Sequence, residues 1–123
     1  MPPEAEPAPR EISRGVVAIY KDYMGRGPTD ARTEVTENAS VTRVSGSLTK
    51  AEQSLVADGK ADVVREMRRN FQDAMASEVT ALVESATGRE AESFLSDHDT
   101  ETDLAIEVVL LKARSAPDGA NPA

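Results

Sequence analysis

The sequence predicts an α+β fold of two layers, in which helices pack on an antiparallel four-stranded sheet. Three observations predict it: long segments carry apolar residues at helical spacing, short segments alternate or are rich in β-branched residues, and polar turns join these short segments in pairs. The predicted order is αββααββ, with two β-hairpins, one long helix and two shorter helices. Such an order leads to a small sheet covered by helices.

The chain has 123 residues, the usual size of one domain. We place this single domain at residues 11–113. Residues 1–10 and 114–123 are predicted to be disordered tails, because they contain six of the seven prolines and no periodic apolar pattern.

The first helix is predicted from Ile12, Val16 and Tyr20, which recur every four residues and share a face with Ile19 and Tyr23. The turn Gly25-Arg26-Gly27-Pro28 follows it.

In this turn Gly25 caps the helix and Pro28 fixes its own backbone angle, so the chain is held in one conformation. A glycine-rich turn can also bind phosphate, but neither G-x-x-x-x-G-K-[ST] nor G-x-G-x-x-G between a strand and a helix is present. We therefore interpret the turn as a rigid connection, with Arg26 either exposed or paired locally.

The first hairpin is predicted from alternation at Thr33 and Val35, a tight turn at Glu37-Asn38 and a β-branched return strand at residues 41–44. Gly46 closes it.

A short second helix begins after Thr49, because Thr49 and Glu52 have the spacing of a capping box. It ends at Asp58-Gly59, and a long third helix follows with Gly88 as its C-terminal cap. The apolar stripe of this helix consists of Val64, Met67, Phe71, Met75, Val79, Leu82 and Ala86.

The second hairpin is predicted from a strand at residues 90–96, a polar loop at 97–103 and a last strand at Leu104–Leu111. The last strand has Leu104, Ile106, Val108 and Leu110 on one side, while Val109 and Leu111 make the other side apolar as well. This pattern predicts a strand covered on both faces, and a partly apolar outer face of the sheet suits a homodimer.

Composition argues against several classes of function. The chain has no cysteine, which rules out disulfides, thiolate metal sites and a cysteine nucleophile. A net charge of -8 and only four aromatic residues argue against nucleic-acid binding. No apolar run approaches the roughly 18 residues of a membrane span, and no signal peptide is evident, so we expect a cytoplasmic protein without membrane insertion.

One set of residues forms a recognisable pattern along the chain: Gly25-Arg26-Gly27-Pro28, Arg43, Gly46, Leu48-Thr49-Lys50-Ala51-Glu52, Arg68, Thr87-Gly88 and Ser96-Asp97. Over about residues 10–113, this pattern resembles the MpsC-like family, formerly a domain of unknown function. The run Ser40-Val41-Thr42-Arg43-Val44 is more polar than the second strand of the family. The resemblance implies association with a membrane-potential-generating, cation or inorganic-carbon transport system, and it implies no catalytic residues.

Arg68 lies within the apolar stripe of the long helix, whereas Arg65 and Arg69 point away from it. A guanidinium on the buried side needs a partner, because an unpaired buried charge is very costly.

Two interpretations of Arg68 follow. In the first, it forms a structural ion pair with Glu52 or Asp97, or extends along the helix to reach water. In the second, it forms an anion site together with Arg26 or Arg43.

His98, the only histidine, stands between Asp97 and Asp99. One His and two adjacent acids chelate a metal poorly, so we predict a solvated turn. The acidic run 97–103 also lacks the glycine and the terminal Glu of a calcium-binding loop. We expect no metal, no cofactor and no catalytic residues, and therefore no enzymatic activity.

The leading hypothesis is a small cytoplasmic accessory or regulatory protein that acts by protein–protein contact. We expect it to form a homodimer and to contact a subunit of a membrane transport system, which would place it peripherally at the membrane. The alternative is a small-anion sensor with an arginine-lined pocket between the sheet and the helices.

Overall fold

The computed structural model describes residues 6–114. The elements are α1 (Ala8–Met24), β1 (Asp30–Val35), β2 (Ala39–Ser45), α2 (Lys50–Ala57), α3 (Ala61–Thr87), β3 (Ala91–Asp99) and β4 (Leu104–Leu111). The strands form one antiparallel sheet in the order β1-β2-β4-β3. The predicted α+β fold and its order αββααββ are confirmed.

The predicted tails lie mostly outside the described residues, which exclude 1–5 and 115–123. The first helix begins at Ala8, earlier than the domain boundary that we placed at residue 11. Pro9 is compatible with this start, because an amide in the first turn of a helix has no intrahelical acceptor to lose.

The ends of the helices follow the predicted signals. Gly25 and Gly88 end α1 and α3 with left-handed backbone angles, at φ of 79° and 68°. Thr49 and Glu52 form the complete capping box of α2. Among the helices within residues 6–114, none combines the length and the apolar character needed to cross a bilayer.

The hydrophobic core lies between the sheet and the pair of helices α1 and α3. Its buried members come from both helices and from β2 and β4: Ile12, Val16, Tyr20, Met75, Val79, Val83, Val44, Ala105, Val109 and Leu111. Apart from Tyr20, these buried members are aliphatic residues and Met75.

Residues 6–114 of one chain cover only one face of β4. Ala105, Glu107, Val109 and Leu111 are buried towards the helices, whereas the residues between them are half-buried or exposed. Ile106 is 41% exposed. Within residues 6–114, the prediction that β4 is covered on both faces is therefore wrong, because α1 and α3 pack on the same side of the sheet.

The second hairpin turn is shorter than predicted, since β3 continues through Asp99. His98 is consequently a strand residue opposite Ala105, and it is 7% exposed. The prediction of a solvated turn at His98 is wrong. Because side chains alternate along a strand, His98 points inward while Asp97 and Asp99 point outward. The two acids made this part of the strand look like a polar loop in the sequence.

Candidate functional site

A cluster of buried polar side chains surrounds residues 46–49, the segment that joins β2 to α2; we name this segment the connector. Arg68 of α3 reaches it from the helical layer and is 2% exposed. Its Nε donates to Oε2 of Glu52 at 2.7 Å, and its Nη2 donates to Oε1 at 2.6 Å. Glu52 is also 2% exposed, so this two-point ion pair is shielded from water.

The remaining donors of Arg68 bind the connector itself. Nη1 donates to Oγ of Ser47 at 3.1 Å, and Nη2 also donates to the carbonyl oxygen of Ser47 at 2.7 Å. Every nitrogen of the guanidinium is hydrogen-bonded, which a buried arginine needs to offset the loss of its hydration. The geometry is that of a structural ion pair.

Glu52 links this pair to the start of α2. Its Oε1 accepts from the amide of Thr49 at 2.9 Å, while the hydroxyl of Thr49 accepts from the amide of Glu52 at 3.2 Å. Burial alone would raise the pKa of Glu52, but the hydrogen bonds from Arg68 and Thr49 outweigh burial and hold the pKa below its ordinary value.

Arg26 binds the connector from a second direction. Its Nη1 donates to the carbonyl oxygen of Leu48 at 2.9 Å, and its Nη2 donates to that of Gly46 at 3.1 Å. Gly46 has a φ of 66°, and a Cβ added there would overlap the side chain of Thr29. The rigid turn after α1 therefore places Arg26 against a part of the connector that requires glycine.

Asp103 binds the connector from a third direction. Its carboxylate accepts from the amides of Ser47 at 3.3 Å and Leu48 at 3.1 Å. The same carboxylate lies 2.9 Å from Nε2 of His98. Asp103 has a φ of 53°, a strained angle for a residue with a side chain, and these contacts account for it.

The residues singled out from the sequence separate into two groups. Arg68, Glu52 and Arg26 meet at the connector. Arg43 and Asp97 lie instead on the outer face of the sheet, where both pair in register with Ile106. Asp97 is thus not the partner of Arg68, and the three arginines do not line one pocket, because Arg43 projects from the opposite side of the sheet.

A second buried polar contact joins α1 to the sheet. The hydroxyl of Tyr20 donates to Oε1 of Glu107 at 2.5 Å. Oε2 of Glu107 has no hydrogen-bond partner among the described residues. Burial raises the pKa of Glu107, although the hydroxyls of Ser96 and Tyr20 oppose this effect, so burial favours the protonated carboxyl.

Sequence reasoning missed three members of these contacts: Asp103, His98 and Glu107. Only Glu107 carried a usable signal, because strand alternation places it on the same face as Val109 and Leu111. The partners of Asp103 are backbone amides far away in the sequence, and residue spacing does not reveal such contacts.

We expect Arg68→Ala to destabilise the protein by about 3–5 kcal/mol, because it leaves the buried Glu52 carboxylate without its counter-ion. Combining Arg68→Met with Glu52→Gln should recover part of the loss by removing both charges. Arg65→Ala, an exposed change on the same helix, should stay within about 0.5 kcal/mol of the wild type. Urea unfolding measures all three. An unchanged unfolding curve for Arg68→Ala would contradict the structural role.

We expect Glu107 and Glu52 to affect stability with opposite dependence on pH. Because the pKa of Glu107 is raised on folding, the folded state binds more protons than the unfolded state. The contribution of Glu107 to the free energy of unfolding is therefore lost as the pH rises through the folded pKa. The lowered pKa of Glu52 gives a contribution that is lost as pH falls through its folded pKa.

Unfolding measured across a pH series tests both directions. Glu107→Gln should remove a fall in stability as the pH rises above the ordinary glutamate pKa, while Glu52→Gln should remove a fall as the pH drops below it. Parallel pH profiles for the wild type and Glu107→Gln would show that Glu107 does not titrate with a raised pKa.

Comparisons with known proteins agree with the resemblance seen in the sequence. Residues 6–113 match the family described as "Na+-translocating membrane potential-generating system (MpsC)". The uncharacterized protein YbcI of Bacillus subtilis (strain 168) is 24% identical over 93 residues, which are 75% of this chain and 75% of that protein. No solved structure matches the chain. Since the family match spans nearly all of the described residues, the chain belongs to the MpsC family.

Proposed function

We propose that the protein is a small accessory or regulatory component of a membrane-potential-generating cation or inorganic-carbon transport system. It acts in the cytoplasm as a homodimer, by contact with a membrane subunit of that system, and it catalyses no reaction. The observation that carries this proposal is the family match over residues 6–113, because the description of the family names a Na+-translocating system.

The contacts of the buried charged groups support a role by protein contact. Arg68 and Glu52 bind each other and the ends of the connector, and Asp103 binds connector amides. Glu107 is 1% exposed beneath the helices. These side chains serve to hold the fold together, so the exposed surfaces are the parts left to meet a partner.

A groove along α3 supplies one such surface. It has a volume of about 540 Å³ and is lined by Val63, Met67 and Phe71, with Glu66 beside them. Val63 is 48% exposed, although it is apolar. The chain has a net charge of -8, whereas cytoplasmic segments of membrane proteins carry an excess of Lys and Arg. In this proposal the groove receives a basic amphipathic segment of the membrane subunit.

The alternative of a small-anion sensor has less support. Arg26 and Arg68 already donate to protein oxygens, and Arg43 lies on the other side of the sheet. An anion would have to displace these hydrogen bonds.

We expect the tagged protein to co-purify with subunits of a cation or inorganic-carbon transport system from detergent-solubilised membranes of its own cells. Val63→Lys should reduce the recovery of these subunits at least about tenfold, because it places a charge in the groove and repels a basic partner. Ser77→Lys adds the same charge at an exposed position of α3 outside the groove and should leave recovery unchanged.

A thermal-shift screen separates the two functions. Bicarbonate, phosphate and nucleotides should leave the melting temperature of an adaptor unchanged, whereas a sensor would be stabilised by its ligand. Absence of transport subunits from the purified material, together with stabilisation by one of these anions, would overturn the proposed function.

A further inference from the structure

The outer face of the sheet, opposite the helices, carries a continuous apolar patch within the described chain. Three large hydrophobic residues are exposed among the described residues: Val63, Leu95 and Ile106. Val63 lies on α3, whereas Leu95 and Ile106 lie on this face of the sheet. Leu95 is 55% exposed and Ile106 is 41% exposed. Exposed apolar residues that adjoin one another are typical of an interaction surface.

Strand register arranges this face in rows across β2, β4 and β3. One row is Val41, Val108 and Leu95, which are opposite one another in the two strand pairs. The adjacent row is Arg43, Ile106 and Asp97. Each row therefore has an apolar residue of β4 at its centre, and the second row has opposite charges at its two ends.

No ion pair among residues 6–114 joins Arg43 to Asp97. The two residues lie on the strands that flank β4, on either side of Ile106. Both are exposed and line the same hollow beside Ile106. A partner that fits this face must present an acid opposite Arg43 and a base opposite Asp97.

A second copy of the chain presents an acid opposite Arg43 and a base opposite Asp97 if the two copies are related by a two-fold axis parallel to β4. We infer that the outer sheet face is the homodimer interface, with the two-fold axis running along β4. This inference rests on the proposed function and names the surface through which its homodimer forms. The axis stacks β4 on β4 and places β2 of one copy over β3 of the other, so Arg43 faces Asp97 of the second copy, twice per dimer.

The same operation matches the apolar residues. Val108 stacks on its own copy, and Val41 faces Leu95 of the other chain. Packed sheets lie about 10 Å apart, a distance that an extended arginine and an aspartate can span together. A two-fold axis across the strands at the level of Ile106 would instead place Arg43 against Arg43, which the repulsion of like charges disfavours.

Among residues 6–114, no ion pair joins the edge strand β1 to Arg43 or Asp97. Arg32 is paired with Asp30 on its own strand, with its Nε 3.0 Å from Oδ2. Because β1 lies beside β2 at the edge of the sheet, this exposed pair falls at the rim of the interface. Arg43 and Asp97 are the charges in register with Ile106 of the central strand β4.

Sedimentation equilibrium on the purified full-length chain tests the interface. Ile106→Glu should raise the dimer dissociation constant about a hundredfold, because the axis places two such charges against each other. Val63→Glu, the same change at an exposed apolar residue on α3, should leave the constant unchanged. Circular dichroism checks that both variants are folded. A dimer unaffected by Ile106→Glu, or a wild type that stays monomeric at its highest soluble concentration, would overturn the inference.

A charge exchange tests the direction of the axis. Arg43→Asp alone and Asp97→Arg alone should each weaken the dimer about tenfold or more, and the two together should restore it. Failure of the double variant to restore the dimer would overturn the axis along β4. Both experiments use purified protein without membranes. A negative result would overturn the dimer interface and would leave the co-purification with transport subunits as an independent test of the proposed function.

Discussion

The buried ion pair between Arg68 and Glu52 is the interaction on which the arrangement of helices and sheet depends. Both residues are 2% exposed, so each charge requires the other. Arg68 belongs to α3, Glu52 lies in the first turn of α2, and the same guanidinium binds Ser47 of the connector. Arg26 from the turn after α1 and Asp103 from the second hairpin hold the connector from other sides. Parts that are distant along the chain are thus joined at one short segment.

This arrangement places charge inside the protein and leaves apolar groups on two of its surfaces. The charged side chains around the connector bind protein atoms, whereas Val63, Leu95 and Ile106 remain exposed. A dimer formed through the sheet would leave the groove of the helical layer uncovered in both copies. The homodimer that we infer and the contact with a membrane subunit that we propose would therefore use different surfaces, so one would not block the other.

Sequence patterns predicted the fold well, because its signals are local. Helical spacing, the caps at Gly25 and Gly88 and the capping box at Thr49 each act within a few residues. Only part of the site could be predicted from the sequence. The position of Arg68 in an apolar stripe predicted a buried partner, but residue spacing did not show whether that partner was Glu52 or Asp97. That choice depends on the face of the sheet to which each element brings its side chain, and His98 was misinterpreted for the same reason.

Native-state hydrogen exchange at the connector tests the central claim most directly. The amides of Ser47 and Leu48 donate to the carboxylate of Asp103, in a segment that Arg68 and Arg26 also hold. If the buried charges fix the connector, these two amides should exchange as slowly as the amide of Val44 in the core of β2, through global unfolding. Exchange of both at the rate of exposed loop amides, while Val44 stays protected, would contradict the account.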